Sequence, residues 1–150
     1  MPLYIAELSI PANTPPTSPQ KAVVELWEEV LEQVIILIPA GHMALTGLKV
    51  FYGDEQLIPK PHGAWLKGDN LTLSFKMMWR LPERPTRLRL EGYNNDDTYD
   101  HTFYLYFITA MKEEAEWWRG IKDFADTLKR LIFGERRVPA AAPPRRVPRG

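Results

Sequence analysis

The sequence predicts a mainly β protein: an antiparallel β-sandwich, either jelly-roll or immunoglobulin-like, followed by an amphipathic helix and an extended arm. Short apolar stretches recur between turns rich in Pro and Gly. Residues 71–81 alternate apolar and polar side chains with the period of two that a half-buried strand has. The last third of the chain changes to helical periodicity and then to a basic, proline-rich tail. We therefore divide the chain into a sandwich at 1–110, a helix at 111–134 and an arm at 135–150.

Composition and charge narrow the class of protein further. The chain has 150 residues, enough for one domain with a core of its own, and no cysteine, which excludes disulfides and thiolate chemistry. Lys plus Arg and Asp plus Glu number 19 each, but residues 135–150 hold five Arg and one Glu, a net charge of +4 that leaves −4 on the rest. The N-terminus has neither the basic nor the long apolar segment of a signal peptide. We expect a mildly acidic body with a basic arm, and no transmembrane segment.

The first part of the chain contains one clear strand and one ambiguous stretch. Residues 3–10 alternate loosely and predict a strand, whereas the prolines of 11–19 exclude regular structure there. Residues 21–38 have apolar side chains at helical spacing, with glutamates on the other face. The same stretch ends in the mostly β-branched run Val-Ile-Ile-Leu-Ile before a proline, which is typical of a buried strand. A helix and two strands are both open here, and we favour two strands, at 22–27 and 33–38.

The rest of the sandwich region has a stronger strand signal. Residues 48–58 predict two short strands around a Gly-Asp-Glu turn, and 87–91 alternate leucines with charged side chains. In 71–81, six apolar residues occupy every second position, so we expect this strand to place one face, with Phe75 near its centre, on the core. Residues 101–109 are apolar on both faces, which predicts a central strand or a strand whose outer face is covered.

A strongly amphipathic helix is predicted after the last strand, over residues 112–133. Acidic residues crowd its first turns and Lys129 and Arg130 its last, as the helix dipole favours, and Gly134 is a natural C-terminal stop. One face carries an apolar stripe at helical spacing, made of Trp117, Ile121, Phe124, Leu128, Leu131 and Ile132. The stripe either packs on the sheet of its own domain or docks on another copy, and its width allows both.

The arm at 135–150 has almost nothing to bury and is expected to be disordered when alone. Its prolines favour an extended, polyproline-like strap, and its arginines suit an acidic neighbouring protein. We expect the helix and the arm together to hold neighbouring molecules. The residues expected to do so are Trp117, Trp118, Ile121, Phe124, Leu128, Arg136, Arg137, Arg145, Arg146 and Arg149.

The densest cluster of oxygen donors lies before the last strand, and calcium prefers such oxygens. It comprises Asn94, Asn95, Asp96, Asp97 and Asp100, with His101 beside them. The spacing is not that of an EF-hand, and Asn and Asp are also ordinary turn residues, so we favour a loop of Asx turns. The three histidines, His42, His62 and His101, are far apart in sequence and lack zinc-site spacing. We expect no metal, no cofactor and no catalytic site, because nucleotide-binding glycines and a nucleophile elbow are also missing.

Three stretches resemble a group of small β-sandwich proteins encoded among the structural genes of tailed bacteriophages and prophages. They are Gly-Leu-Lys-Val-Phe-Tyr-Gly-Asp-Glu-Gln-Leu-Ile-Pro at 47–59, Trp-Leu-Lys-Gly-Asp-Asn at 65–70 and Leu-Glu-Gly-Tyr-Asn-Asn-Asp-Asp-Thr-Tyr-Asp-His-Thr at 90–102. The Pro-Ala-Asn-Thr-Pro segment at 11–15 fits the same group. The resemblance covers about residues 3–110 and implies a virion or assembly component, made in the host cytoplasm. It carries over no catalytic residue, and the helix and arm lie outside it.

The predicted function is therefore that of a non-enzymatic structural protein of a phage-like particle. Its partners would be other copies of itself or a capsid or tail protein, with no membrane partner. One alternative is a glycan-binding module whose aromatic platform would draw on Trp65, Trp79, Tyr93, Tyr99, Tyr104 and Tyr106. A second alternative is an assembly factor whose basic arm contacts nucleic-acid phosphates.

Overall fold

Eight antiparallel strands form two four-stranded sheets in the computed structural model, which describes residues 2–132 and the side chains of 2–111 and 119–132. The strands begin and end close to the turn residues that the sequence places between them. They are β1 (Leu3–Ile10), β2 (Gln20–Leu26), β3 (Val30–Ile38), β4 (Thr46–Tyr52), β5 (Glu55–Ile58), β6 (Leu71–Arg80), β7 (Thr86–Asn94) and β8 (His101–Ala110). The prediction of a mainly β, antiparallel sandwich is confirmed.

The strand order identifies the sandwich as a jelly roll. One sheet has the order β1-β8-β3-β6 and is called here the β1 sheet; the other has the order β2-β7-β4-β5 and is called the β2 sheet. Strands therefore pair as first with last, second with second-last, and so on inward to the β4–β5 hairpin. A chain folded back on itself as one long hairpin and then rolled up has this order, which defines the jelly roll and excludes the immunoglobulin-like alternative.

The ambiguous stretch 21–38 folds as two strands, β2 and β3, as we favoured. The turn between them falls at residues 27–29. In β3, Val34, Ile36 and Ile38 are buried at every second position, so the period of two prevails over the helical spacing. The strand interpretation is correct. Strand β3 lies between β8 and β6, and this apolar run places one face of the strand in the core.

The core lies between the two sheets, and β8 contributes its two largest fully buried side chains, Phe103 and Phe107. Phe103, Leu105 and Phe107 are fully buried on the inner face of this strand, which lies between β1 and β3, so the prediction of a central strand is confirmed. From the β2 sheet, Leu48, Leu88 and Leu90 pack against the same core. The alternation of leucines with charged residues in β7 thus separates an inner from an outer face, as expected.

Strand β6 is less buried than its alternation predicts. Phe75, Met77 and Trp79 face the core, as expected, but they are only half-buried. The reason is that β6 is the edge strand of the β1 sheet and has a neighbour, β3, on one side only. The period of two is therefore correct and Phe75 packs against the core, but it lies less deep than the phenylalanines of β8.

The C-terminal helix is α1 (Lys112–Ile132), and from Glu113 onward it belongs to a second compact unit of the chain. The helix ends close to the predicted position. Lys129 and Arg130 lie in its last turn, where the carbonyl end of the helix dipole stabilises cations. Within residues 2–132, the chain forms no helix that is both long enough and apolar enough to cross a membrane. The arm at 135–150 lies outside the described residues.

Candidate interaction surfaces

Four connections meet at one end of the sandwich and are joined to one another by backbone hydrogen bonds. The Asn13 amide donates to the carbonyl oxygen of Asp96 at 2.8 Å and joins the β1–β2 connection to the β7–β8 connection. The Asn95 amide donates to the Leu45 carbonyl at 2.9 Å, and the Ala44 amide to the Gly68 carbonyl at 3.3 Å. The connections at the opposite end are short. The long loops, where binding sites are usually found, thus form one continuous and hydrogen-bonded end.

Asn94 holds three segments of this end together. Its side chain is fully buried. Its amide nitrogen donates to the carbonyl oxygens of Ile10 at 3.1 Å and Tyr99 at 2.8 Å, and its amide oxygen accepts from the Asp96 backbone at 2.9 Å. The end of β1, the end of β7 and the following loop are therefore fixed by one side chain.

The acidic loop is built of Asx turns, which is the interpretation that the sequence favoured. One carboxylate oxygen of Asp96 accepts from the backbone amides of Thr98 at 2.9 Å and Tyr99 at 3.3 Å. Its other oxygen lies 2.8 Å from Nε2 of His101. The Thr98 amide above all, and then His101, lower the pKa of Asp96. Asp100 accepts from the Ala12 amide at 3.0 Å. Both carboxylate oxygens of Asp96 and one of Asp100 thus take part in hydrogen bonds that shape the loop.

His42 and His101 lie side by side, although they are distant in sequence. Their ring centroids are 4.6 Å apart, whereas His62 is exposed in the β5–β6 connection. Nε2 of His42 lies 3.1 Å from the Thr102 carbonyl and Nδ1 lies 2.7 Å from the Thr46 hydroxyl. Because a carbonyl only accepts, Nε2 carries the proton, and Nδ1 of the neutral ring accepts from Thr46. The described residues contain no group of three or more acidic, His or Cys side chains placed to hold a metal.

Acidification is expected to destabilise the protein through His42. Burial first, and then the neighbouring His101, lower the pKa of His42 from its usual 6.5. The unfolded state therefore binds this proton more readily than the folded state does. The contribution of neutral His42 to stability is fully present above the usual pKa of 6.5 and is lost as the pH falls toward about 5. We expect His42→Asn to reduce the slope of melting temperature against pH, and the control His62→Asn, at an exposed position, to keep the wild-type slope. Equal slopes for wild type and His42→Asn would contradict this assignment.

The outer face of the β2 sheet is charged. Its charges pair across strands β2 and β7: Glu25 with Arg87 at 3.0 Å, and Lys21 with Glu91 at 3.7 Å. Glu91 also pairs with Arg89 at 3.1 Å within β7. The Glu25–Arg87 pair is exposed and contributes little stability. The Glu91 side chain is only 14% exposed, so its two pairs are partly shielded from water. Charged side chains thus line this face.

The outer face of the β1 sheet is apolar instead. On strand β1, Leu3 is 55% exposed and Ile5 is 61% exposed, and the outer side chains of β8 and β3 beside them are half-buried. We call this surface the apolar face; it consists of Leu3, Ile5, Ile35, Leu37, Tyr104, Tyr106 and Ile108. Sequence reasoning did not name it as a site, although the apolar residues on both sides of β8 were a signal for it. Contiguous apolar surface with a polar rim is typical of an interaction site.

A second apolar surface lies on helix α1 and includes residues that the sequence analysis named. Ile121, Phe124, Leu128, Leu131 and Ile132 follow one another at spacings of one to four residues and are between 39% and 77% exposed. We call them the helix stripe. The side chains of Trp117 and Trp118 are not among those described, and Arg136, Arg137, Arg145, Arg146 and Arg149 lie outside the described residues.

The aromatic residues considered for glycan binding do not form one platform. Trp65 and Tyr93 meet edge to face at 4.8 Å, but Tyr93 is buried and the Lys49 ammonium lies 4.0 Å from the centre of the Trp65 ring. Trp79 packs against Tyr52 at the edge of the core. The three other tyrosines divide between two places: Tyr104 and Tyr106 belong to the apolar face, and Tyr99 lies in the acidic loop. A sugar ring therefore has no continuous aromatic surface within these six residues.

Comparison with known proteins adds no relative to this description. No family model, no curated protein and no solved structure matches the chain. The class of the protein is defined by its own geometry: a jelly-roll sandwich with one charged and one apolar outer face, followed by an amphipathic helix.

Proposed function

We propose that this protein is a non-enzymatic structural or assembly component of a phage-like particle, in the capsid or tail. In this role the C-terminal helix and arm join the sandwich to neighbouring subunits. The observation that carries the proposal is the helix stripe, because five large apolar side chains on one helix face are exposed. Burying each such side chain against a partner contributes about 1.5–3 kcal/mol, so the stripe favours association.

Two further features support this role. Jelly rolls are frequent in viral capsid proteins, although lectins and cupins share the fold, so this support is an analogy of fold. The charge distribution adds a physical argument, since an arm of net charge +4 suits a body of net charge −4 on the next copy. The resemblance of residues 3–110 to phage structural proteins points in the same direction.

Deletion of residues 135–150 is expected to leave the sandwich folded and to weaken assembly. The arm has almost no apolar side chains to bury, so its loss does not affect the core, but it removes five arginines that can pair with acidic neighbours. The measurement is mass by light scattering at low and high salt, beside a melting curve. Truncated protein that assembles as well as the full chain would show that the arm is passive. Loss of nucleic-acid binding alone, steep in salt, would favour the alternative of an assembly factor.

The helix stripe is tested in the same assay with a pair of matched variants. Phe124→Gln with Leu128→Gln places polar side chains on the stripe, and Lys122→Gln with Lys129→Gln places the same side chains elsewhere on the helix, at exposed positions. We expect the first variant alone to lower the mass of the assembly.

A further inference from the structure

The apolar face differs from the helix stripe in one respect: the arrangement of its residues indicates which partner it would bind. Cross-strand pairing arranges its residues in three rows, each with one residue from β1, β8, β3 and β6 in turn. The first row is Leu3, Ile108, Gln33 and Lys76; the second is Ile5, Tyr106, Ile35 and Ser74; the third is Glu7, Tyr104, Leu37 and Thr72. The centre is thus apolar, and the polar side chains lie at the rim.

The two charged residues of these rows lie at diagonally opposite corners. Glu7 ends the third row on β1, and Lys76 ends the first row on β6. Three strand spacings of about 4.8 Å separate the edge strands, and four residues at about 3.4 Å separate the outer rows. The face is therefore nearly square, about 14 Å on each side.

We propose that the apolar face is a self-association surface whose occupant is the same face of a second copy. When a surface meets itself about a two-fold axis, contacts are reciprocal: a residue that lies opposite a second residue of the other copy is matched by that second residue lying opposite the first. Four axes map a square face onto itself in this way. An axis along the strands sets Glu7 opposite Thr72, an axis across the strands sets Glu7 opposite Leu3, and one diagonal sets Glu7 opposite Glu7.

The remaining diagonal, which runs from Leu3 to Thr72, is the one that satisfies the charges. It sets Glu7 of each copy opposite Lys76 of the other, so two ion pairs form at the rim. It also sets Leu3 opposite Leu3, so an apolar side chain meets its own kind. This axis crosses the strands of the two copies at about 90°, which is one of the two packing angles that stacked sheets adopt. The residues of this face all belong to the sandwich and none to the helix or the arm, so this inference does not depend on the proposed function.

The test measures the dimer dissociation constant of the full-length protein by analytical ultracentrifugation. Ile5→Lys places a charge at the β1 end of the middle row. Val23→Lys is its control, because Val23 is 62% exposed on the outer face of the β2 sheet and Ile5 is 61% exposed. We expect Ile5→Lys to weaken association by at least about tenfold and Val23→Lys to leave it unchanged. Melting curves establish that both variants are folded. A wild-type protein that is monomeric, or equal effects of the two variants, would overturn the proposal.

Charge reversal then tests the axis. Glu7→Lys and Lys76→Glu each set like charges against one another, so each single variant is expected to weaken the dimer by about tenfold. The double variant restores opposite charges and is expected to return to the affinity of the wild type. Additive losses in the double variant would overturn the diagonal arrangement. Association that persists in Phe124→Gln with Leu128→Gln supports the apolar face, whereas its loss there would assign the dimer to the helix and contradict the inference.

Discussion

Replacing Phe107 with alanine is expected to lower the free energy of unfolding by about 3–5 kcal/mol. Phe107 is fully buried on β8, at the centre of the β1 sheet, and packs in the core between the two sheets. Strands on both sides of β8 hold the backbone in place, so the site cannot collapse to fill the cavity left by the ring. For a sandwich of this size, each kcal/mol shifts the melting temperature by about 4 °C, so a fall of roughly 12–20 °C is expected in calorimetry.

The control for this prediction is Phe75→Ala. The same ring is removed, but from the edge strand β6, where Phe75 is only half-buried and water can reach the space. We expect a cost of about 1–2 kcal/mol there, because less apolar area is returned to water. Lys76→Ala, on the outer side of the same strand, should be close to neutral for folding. Equal losses for Phe107→Ala and Phe75→Ala would mean that the depth of burial on the two strands is wrongly assigned.

Replacing Asn94 with alanine is expected to cost about 2–4 kcal/mol, because three hydrogen bonds are lost at once. The largest part comes from the Ile10 carbonyl, since Ile10 is fully buried and its oxygen would lose the amide of Asn94. The Tyr99 carbonyl and the Asp96 amide lie closer to solvent, so water compensates in part for their lost bonds. Chemical unfolding with urea measures the change.

Two further variants sharpen this test. Asn95→Ala changes the next residue in the chain, whose side chain is exposed, and is expected to stay within about 0.5 kcal/mol of the wild type. Asn94→Asp keeps the shape but replaces the donating amide with a carboxylate that faces two carbonyl oxygens, so it should cost at least as much as Asn94→Ala. A stable Asn94→Asp variant would contradict the role of Asn94 as a donor.

At the end of the sandwich where the long loops meet, some contacts could be predicted from the sequence and others could not. The Asx turns of Asp96 could be predicted, because each is a hydrogen bond to a backbone amide two or three residues away. The contact of His42 with His101 could not be predicted, because it depends on how the β3–β4 connection meets the start of β8. The proposed phage role and the part played by the arm stay predictions, which the assembly experiments test.

By itself, the sequence determined that this protein is an antiparallel β-sandwich with a C-terminal amphipathic helix, and it placed most of the strands. Alternation, turn residues and helical spacing are local properties, so a single chain displays them. Only the tertiary structure decided the jelly-roll order, the half-buried position of Phe75 on an edge strand, and the placement of Glu7 and Lys76 at opposite corners of one outer face. These features depend on which distant strands pair and in what register, and no short stretch of sequence carries that information.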